Sequence, residues 1–233
     1  MVRSLAALAL ALSACVPPPA ARSPSPDAPA LAPAAVRYLS LGDSFTIGTG
    51  SSPDAAFPAR LAARWSAPRC AVTLRNPAVN GFTTQDVIDR EIPEAGPFAP
   101  TLVTLAIGAN DLVRGATLDR YRAQLDRIFE GLAAAGVPAT RVVALPQPDW
   151  ARSPAATSFG DPAEIHRTIV AFNAALREVT EARGGRYLDL FPLMQQQAAE
   201  GRVARDGLHP DASAHDAWAA AIAAQLGDPC AAP

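Results

Sequence analysis

Two hydrophobic patterns alternate along this chain. Short β-rich runs at 36–41, 71–76, 102–107, 141–145 and 186–190 read as strands, several of them nearly continuously apolar as strands covered on both faces are. Between them, residues 55–65, 84–89, 118–135, 163–183 and 212–226 carry apolar side chains at helical spacing. The clearest stripe is Leu118, Tyr121, Leu125, Ile128, Phe129 and Leu132, which marks a face turned to a core. Asp54 and Thr117 stand where N-terminal caps belong, and Gly136 and Gly184 where helices close. Strand and helix in alternation, joined by right-handed crossovers, predict an α/β fold. The expected form is a three-layer α/β/α sandwich with a five-stranded parallel sheet, flavodoxin-like, whose ligand crevice lies at the carboxyl ends of the strands.

Ahead of the first strand the pattern changes. Arg3 precedes a short apolar run over 5–12, too short to span a bilayer, and small residues lead to Cys15, as in an export signal. Leu12-Ser13-Ala14-Cys15 resembles the bacterial lipobox, whose cysteine is acylated and becomes the first residue of the mature protein. The resemblance implies a signal peptide over 1–14, a lipidated Cys15 and a membrane anchor made of acyl chains. Val16 stands where an aspartate would favour an inner membrane, so an outer-membrane or cell-surface address follows. The Pro- and Ala-rich residues 15–35 read as a tether, leaving 36–233 for one folded domain.

Composition narrows the function classes. With 49% hydrophobic and 18% charged residues and a net charge of -2 over 233 residues, the chain has a core-forming composition and no basic footprint for nucleic acid. A monomer is expected. In an oxidising compartment Cys70 and Cys230 are free to pair, although a buried Cys70 with an unpaired Cys230 fits the sequence equally.

The chemistry-bearing residues cluster where strands end. The first strand runs into Gly42-Asp43-Ser44-Phe45-Thr46, and Asp206-Gly207-Leu208-His209-Pro210 stands near the other end of the chain. A serine hydroxyl needs an imidazole to take its proton, and the imidazole needs a carboxylate to fix its tautomer. Asp206 and His209, three apart, fit one loop. A metal site built from Asp206, His209, Asp211 and His215 is the competing reading, but its spacing matches no common zinc pattern. His166 and His215, both in helical segments, read as structural.

With these blocks the chain resembles the GDSL, or SGNH, hydrolases, named for dispersed Ser, Gly, Asn and His residues. Ser44 lies in the GDS block, Gly81 in the stretch from Asn76 to Thr84, Asn110 in Gly108-Ala109-Asn110-Asp111, and His209 in the DGLHP block. Phe45 replaces the leucine of the family name and is expected to pack beneath the nucleophile. The resemblance implies a serine esterase or acylhydrolase that cleaves carboxylic esters or thioesters through an acyl-serine intermediate, with Ser44, Asp206 and His209 catalytic. It also implies an oxyanion hole made of the Ser44 and Gly81 backbone amides and the Asn110 side chain. No cofactor and no metal are required. Two alternatives stay open: a carbohydrate O-acetyl esterase of the same mechanism, and a non-catalytic surface-binding lipoprotein. Residues 147–161, with Trp150 and Phe159, read either as a segment that overhangs the crevice and sets acyl specificity or as a surface loop of no consequence.

Overall fold

The computed structural model describes residues 34–68 and 70–230. Signal, lipidation site and nearly all of the tether lie outside them. Five strands, β1 (Ala34–Gly42), β2 (Cys70–Arg75), β3 (Leu102–Ala106), β4 (Val142–Ala144) and β5 (Arg186–Tyr187), pair in the order β2-β1-β3-β4-β5, every pair parallel. This is the flavodoxin-like order.

Alternation along β1 divides the core in two. Leu39 and Leu41 face one side with Val103 and Leu105 of β3, against α6 (Leu118–Ala134) and α7 (Pro162–Ala182), whose Tyr121, Leu125, Ile128, Phe129, Phe172 and Leu176 are buried. Val36 and Tyr38 face the other, against α2 (Phe57–Trp65), α8 (Phe191–Ala199) and α9 (Ala212–Leu226). The period-two switch between faces is what a strand covered on both sides requires. Three buried hydroxyls in that second face form one network, Ser40 and Tyr38 each 2.9 Å from Thr104 Oγ1.

Some expected boundaries shift, for local reasons. Thr117 caps α6 by accepting from the Arg120 amide, and Gly136 and Gly184 follow their helices with positive φ. Asp54 caps nothing. Pro53–Ala55 forms a separate 3-10 turn, and α2 starts after Ala56, which has no side chain to cap with. The helix opening at Thr84 runs much further than 89: α3 (Thr84–Asp86) passes through a π-helical segment, Val87–Glu91, into α4 (Ile92–Phe98). Two prolines and a glycine hid this extension: Pro93 lies in the first turn of α4 and Pro97 inside it. β5 is only two residues long.

A disulfide joins Cys70, at the start of β2, to Cys230, beyond α9, across a sequence separation of 160. Closing so long a loop restricts the unfolded chain. Replacing both cysteines by serine is expected to lower the unfolding free energy by about 4–5 kcal/mol, measured by urea denaturation under oxidising conditions. An unchanged midpoint would show that the bridge contributes nothing.

Candidate active site

The site begins at the topological switch between β1 and β3. Gly42 ends β1, Asp43 turns the chain, and Ser44 is the first residue of the one-turn helix α1 (Ser44–Ile47). Asp43 makes this turn: its Oδ1 accepts from the Phe45 amide at 3.0 Å, and its carbonyl accepts from Thr46 and Ile47. The Ser44 amide, at the first helical position, has no intrahelical partner to bond. Asn76, at the end of β2, donates to the Thr46 carbonyl at 3.2 Å and so ties the next loop to α1.

Beyond β3, Asn110 opens the short helix α5 (Ala109–Val113). Its side-chain amide donates to the Phe82 carbonyl at 2.9 Å and, more weakly, to Asp43 Oδ2 at 3.5 Å, which joins the loops after β1, β2 and β3. Tyr121 of α6 fixes the end of β3 from below, donating to the Ile107 carbonyl at 2.7 Å. Gly81 has a φ of +87°, a conformation that side chains disfavour, and its carbonyl accepts from Arg114 at 2.8 Å. The space around it is open, so the conformation, and not a close approach, accounts for the glycine.

The other half of the site is the loop between α8 and α9. Asp206 Oδ1 accepts from the amides of Leu208 and His209 at 2.9 and 3.0 Å, while Oδ2 lies 2.7 Å from His209 Nδ1. One carboxylate therefore shapes the loop and orients the ring. Burial works against the charge on Asp206, but these amide and ring contacts outweigh it and hold the carboxyl below the usual range. Gly50, which sequence reasoning passed over, packs against this loop. A Cβ there would come within 2.6 Å of Ala204 Cβ and 3.3 Å of Asp206 Oδ2.

Ser44, Asn110 and His209 line one cavity of about 270 Å³, together with Phe45, Trp150, Phe159 and Leu208. Phe45 is buried with its ring centroid 5.2 Å from that of His209, an apolar support beneath the imidazole. Ser44 and His209 thus face common space without a mutual hydrogen bond among the described residues. Contacts of this kind tighten when substrate docks. Gly81 is adjacent through Asn80, which is part of the lining.

Burial raises the acidic groups below the site. Burial pushes the Asp43 carboxyl up to about 7, opposed by the Phe45 amide and reinforced by the charge on Asp111. Asp111 is raised by burial too, despite accepting from the Thr84 amide and hydroxyl at 2.9 and 2.5 Å. His215 is fully buried against Phe57 and Trp218, and neither ring nitrogen has a hydrogen-bond partner among the described residues. Burial and then the charge of His209 push it down to about 4, so it is neutral. Asp211 caps α9, accepting from the Ser213 and Ala214 amides.

The 147–161 segment walls the cavity. Gln147 and Asn173 exchange amide hydrogen bonds at 3.0 Å, and the Trp150 indole donates to Gln147 Oε1. Behind Trp150, Asp149 Oδ2 gathers Arg152, His166 and Gln195 at 2.8, 2.9 and 3.0 Å. Burial opposes the charge on Asp149, but these donors hold its carboxyl below the usual range. His166 therefore does structural work here. Sequence spacing could not reveal this cluster, whose members come from three separate segments.

Comparisons with known proteins bear on this geometry. The model of the GDSL-like Lipase/Acylhydrolase family matches residues 40–217. No curated protein matches the chain at the sequence level. Among solved structures, an acetyl xylan esterase variant from Geobacillus stearothermophilus is 18% identical with a TM-score of 0.67, covering 86% of this chain and 99% of that one. A lipase/acylhydrolase from Enterococcus faecalis is 22% identical with a TM-score of 0.64, over 82% and 95%. A psychrotrophic esterase from Pseudoalteromonas sp., solved inhibited by monoethylphosphonate, is 18% identical with a TM-score of 0.64, over 82% and 96%. At these identities the structures share the fold, and the family follows from the match over 40–217, which spans the Ser44, Gly81, Asn110 and His209 blocks. The chain belongs to the GDSL-like lipase/acylhydrolase family.

Proposed function

We propose that Ser44 is the nucleophile of this ester hydrolase, His209 its general base and Asp206 the group that orients His209. The observation that carries the reading is the 2.7 Å contact of His209 Nδ1 with Asp206 Oδ2, on a ring that shares its cavity with Ser44. With the proton on Nδ1 donated to Asp206, Nε2 is left bare to take the hydroxyl proton as Ser44 Oγ attacks the acyl carbon. The same proton passes to the leaving alcohol, and His209 then activates water to release the acid. Negative charge on the carbonyl oxygen is met by the amides of Ser44 and Gly81 and the side chain of Asn110, each donor worth about 3–4 kcal/mol of barrier.

The cavity is suited to the acyl half of the ester. Trp150, Leu208 and Phe45 supply apolar walls, and Val113 and Phe159, exposed at 47% and 45%, stand at its rim. Among the described residues only four large hydrophobics are exposed, so two at one mouth is a concentration. A second reading, removal of acetyl groups from carbohydrate, is favoured by a polar cavity of about 360 Å³ across α5, lined by Thr83, Gln85, Arg114 and Arg120 among others.

Export and anchoring through acylated Cys15 belong to the same proposal. The Cys70–Cys230 bridge supports an oxidising compartment. No helix of the described residues is long and apolar enough to cross a membrane. Labelled fatty acid is expected to enter the wild type in its natural host and not Cys15→Ala; equal labelling would reject the anchor.

Ser44→Ala is expected to abolish hydrolysis of a short-chain aryl ester with the fold retained, and turnover near the wild-type rate would reject the assignment. Asn110→Ala is expected to lower kcat by about 10²–10³-fold. Loss of the Phe82 contact alone would instead change stability with kcat intact. Across a series of linear acyl esters, kcat/KM is expected to rise by up to about fourfold per methylene while the chain gains burial. Phe159→Ser should flatten that rise, whereas acetyl esters favoured over every longer chain would support the carbohydrate reading.

A further inference from the structure

Strand β1 outruns its neighbour. Its pairing with β2 ends at Leu39 opposite Arg75, while on the other side β3 continues to pair as far as Gly42 opposite Ala106. The edge beyond Leu39 needs other partners, because buried backbone amides are rarely left unbonded. At Gly42 the partner is a side chain: the amide donates to Glu91 Oε2 at 2.9 Å. Gly42 is two residues before Ser44, so this contact holds the last peptide of the strand that delivers the nucleophile.

Glu91 reaches this position through an irregularity. It ends the π-helical segment Val87–Glu91 between α3 and α4, and such segments re-aim side chains, frequently at functional sites. The residue is fully buried, and its Oε1 has no partner among the described residues. An ionised carboxylate there would be costly. Burial pushes Glu91 up to about 8; the Gly42 amide pulls it down, and the charges of Asp43, at the strand end, and Asp86, on α3, push it further up. At neutral pH it is an uncharged acceptor, and neither an arginine nor a lysine is among the groups whose field shifts it.

We propose that Glu91 is a positioning residue for the nucleophile: by accepting from Gly42, it fixes the end of β1 and with it the direction of the Ser44 hydroxyl and amide. The proposal rests on the reading of Ser44 as nucleophile. Ionisation of Glu91 in alkali would put a second negative charge beside Asp43, beneath a site where negative charge must develop.

The sign of the pH effect on stability follows from linkage. A carboxyl raised in the folded state contributes stability that is full below the ordinary glutamate range and is lost as pH rises through about 8. Glu91→Gln keeps the acceptor and removes the titration. Glu91→Leu removes the acceptor.

The test measures kcat, KM and Tm from about pH 5 to about pH 9.5 for wild type, E91Q and E91L, with active sites counted by fluorophosphonate labelling. E91L is expected to lose about tenfold or more in kcat per labelled site, with KM within about twofold. E91Q is expected to keep kcat at neutral pH, to escape the decline the wild type shows above about pH 8, and to gain Tm over the wild type as pH rises. Full kcat per site in E91L, or superimposable pH profiles of kcat and Tm for wild type and E91Q, would overturn the proposal. Should E91L not fold, the two E91Q profiles decide. The Tm profile reads the titration of Glu91 without reference to turnover, so a failure of the Ser44 assignment and a failure of the Glu91 assignment give different results.

Discussion

The hydrogen bond between His209 and Asp206 is the constraint on which the rest of the site depends. A free imidazole distributes its proton between two nitrogens and turns about its stem, and either freedom leaves a serine hydroxyl unactivated. Here Oδ1 of Asp206 is occupied by two backbone amides and Oδ2 by the ring, so loop shape, ring orientation and tautomer have one cause. Phe45 beneath the ring and Gly50 against the loop leave little room for another arrangement.

The sheet supplies the remaining geometry. Because β1 lies between β2 and β3, the loops that follow these three strands meet over one crevice, and Asn110 fastens them together through Phe82 and Asp43. Fastening loops with buried acids has an electrostatic consequence. Asp43, Glu91 and Asp111 are all raised by burial, which limits negative charge beneath the crevice, where the proposed attack by Ser44 would develop more. The same acids then provide hydrogen-bond acceptors at little electrostatic cost.

Much of this was legible in the sequence. Short β-rich runs, several of them nearly continuously apolar, located all five strands, and the residues following β1 and β3 are those the GDS and GAND blocks pointed to. The rest was hidden for physical reasons. Prolines and glycine between Glu91 and Phe98 broke the expected helical composition, and α8, which carries Pro192 and the polar run Gln195 to Gln197, was not among the expected helices. Glu91 and Gly50 act through contacts across 49 to 159 residues of chain, and Asp149 reaches 17 and 46 residues to His166 and Gln195, which no local spacing encodes. An isolated glutamate after an arginine looks like any solvated helix face until the π turn rotates it inward.

A covalent intermediate is the most direct reading of the central claim. Protein quenched in acid during turnover of a slowly hydrolysed ester, digested and analysed by mass spectrometry, is predicted to carry the acyl group on the peptide containing Ser44, at Ser44 itself. Acylation at a different residue, or turnover with no acyl-enzyme under conditions where deacylation limits the rate, would contradict the account.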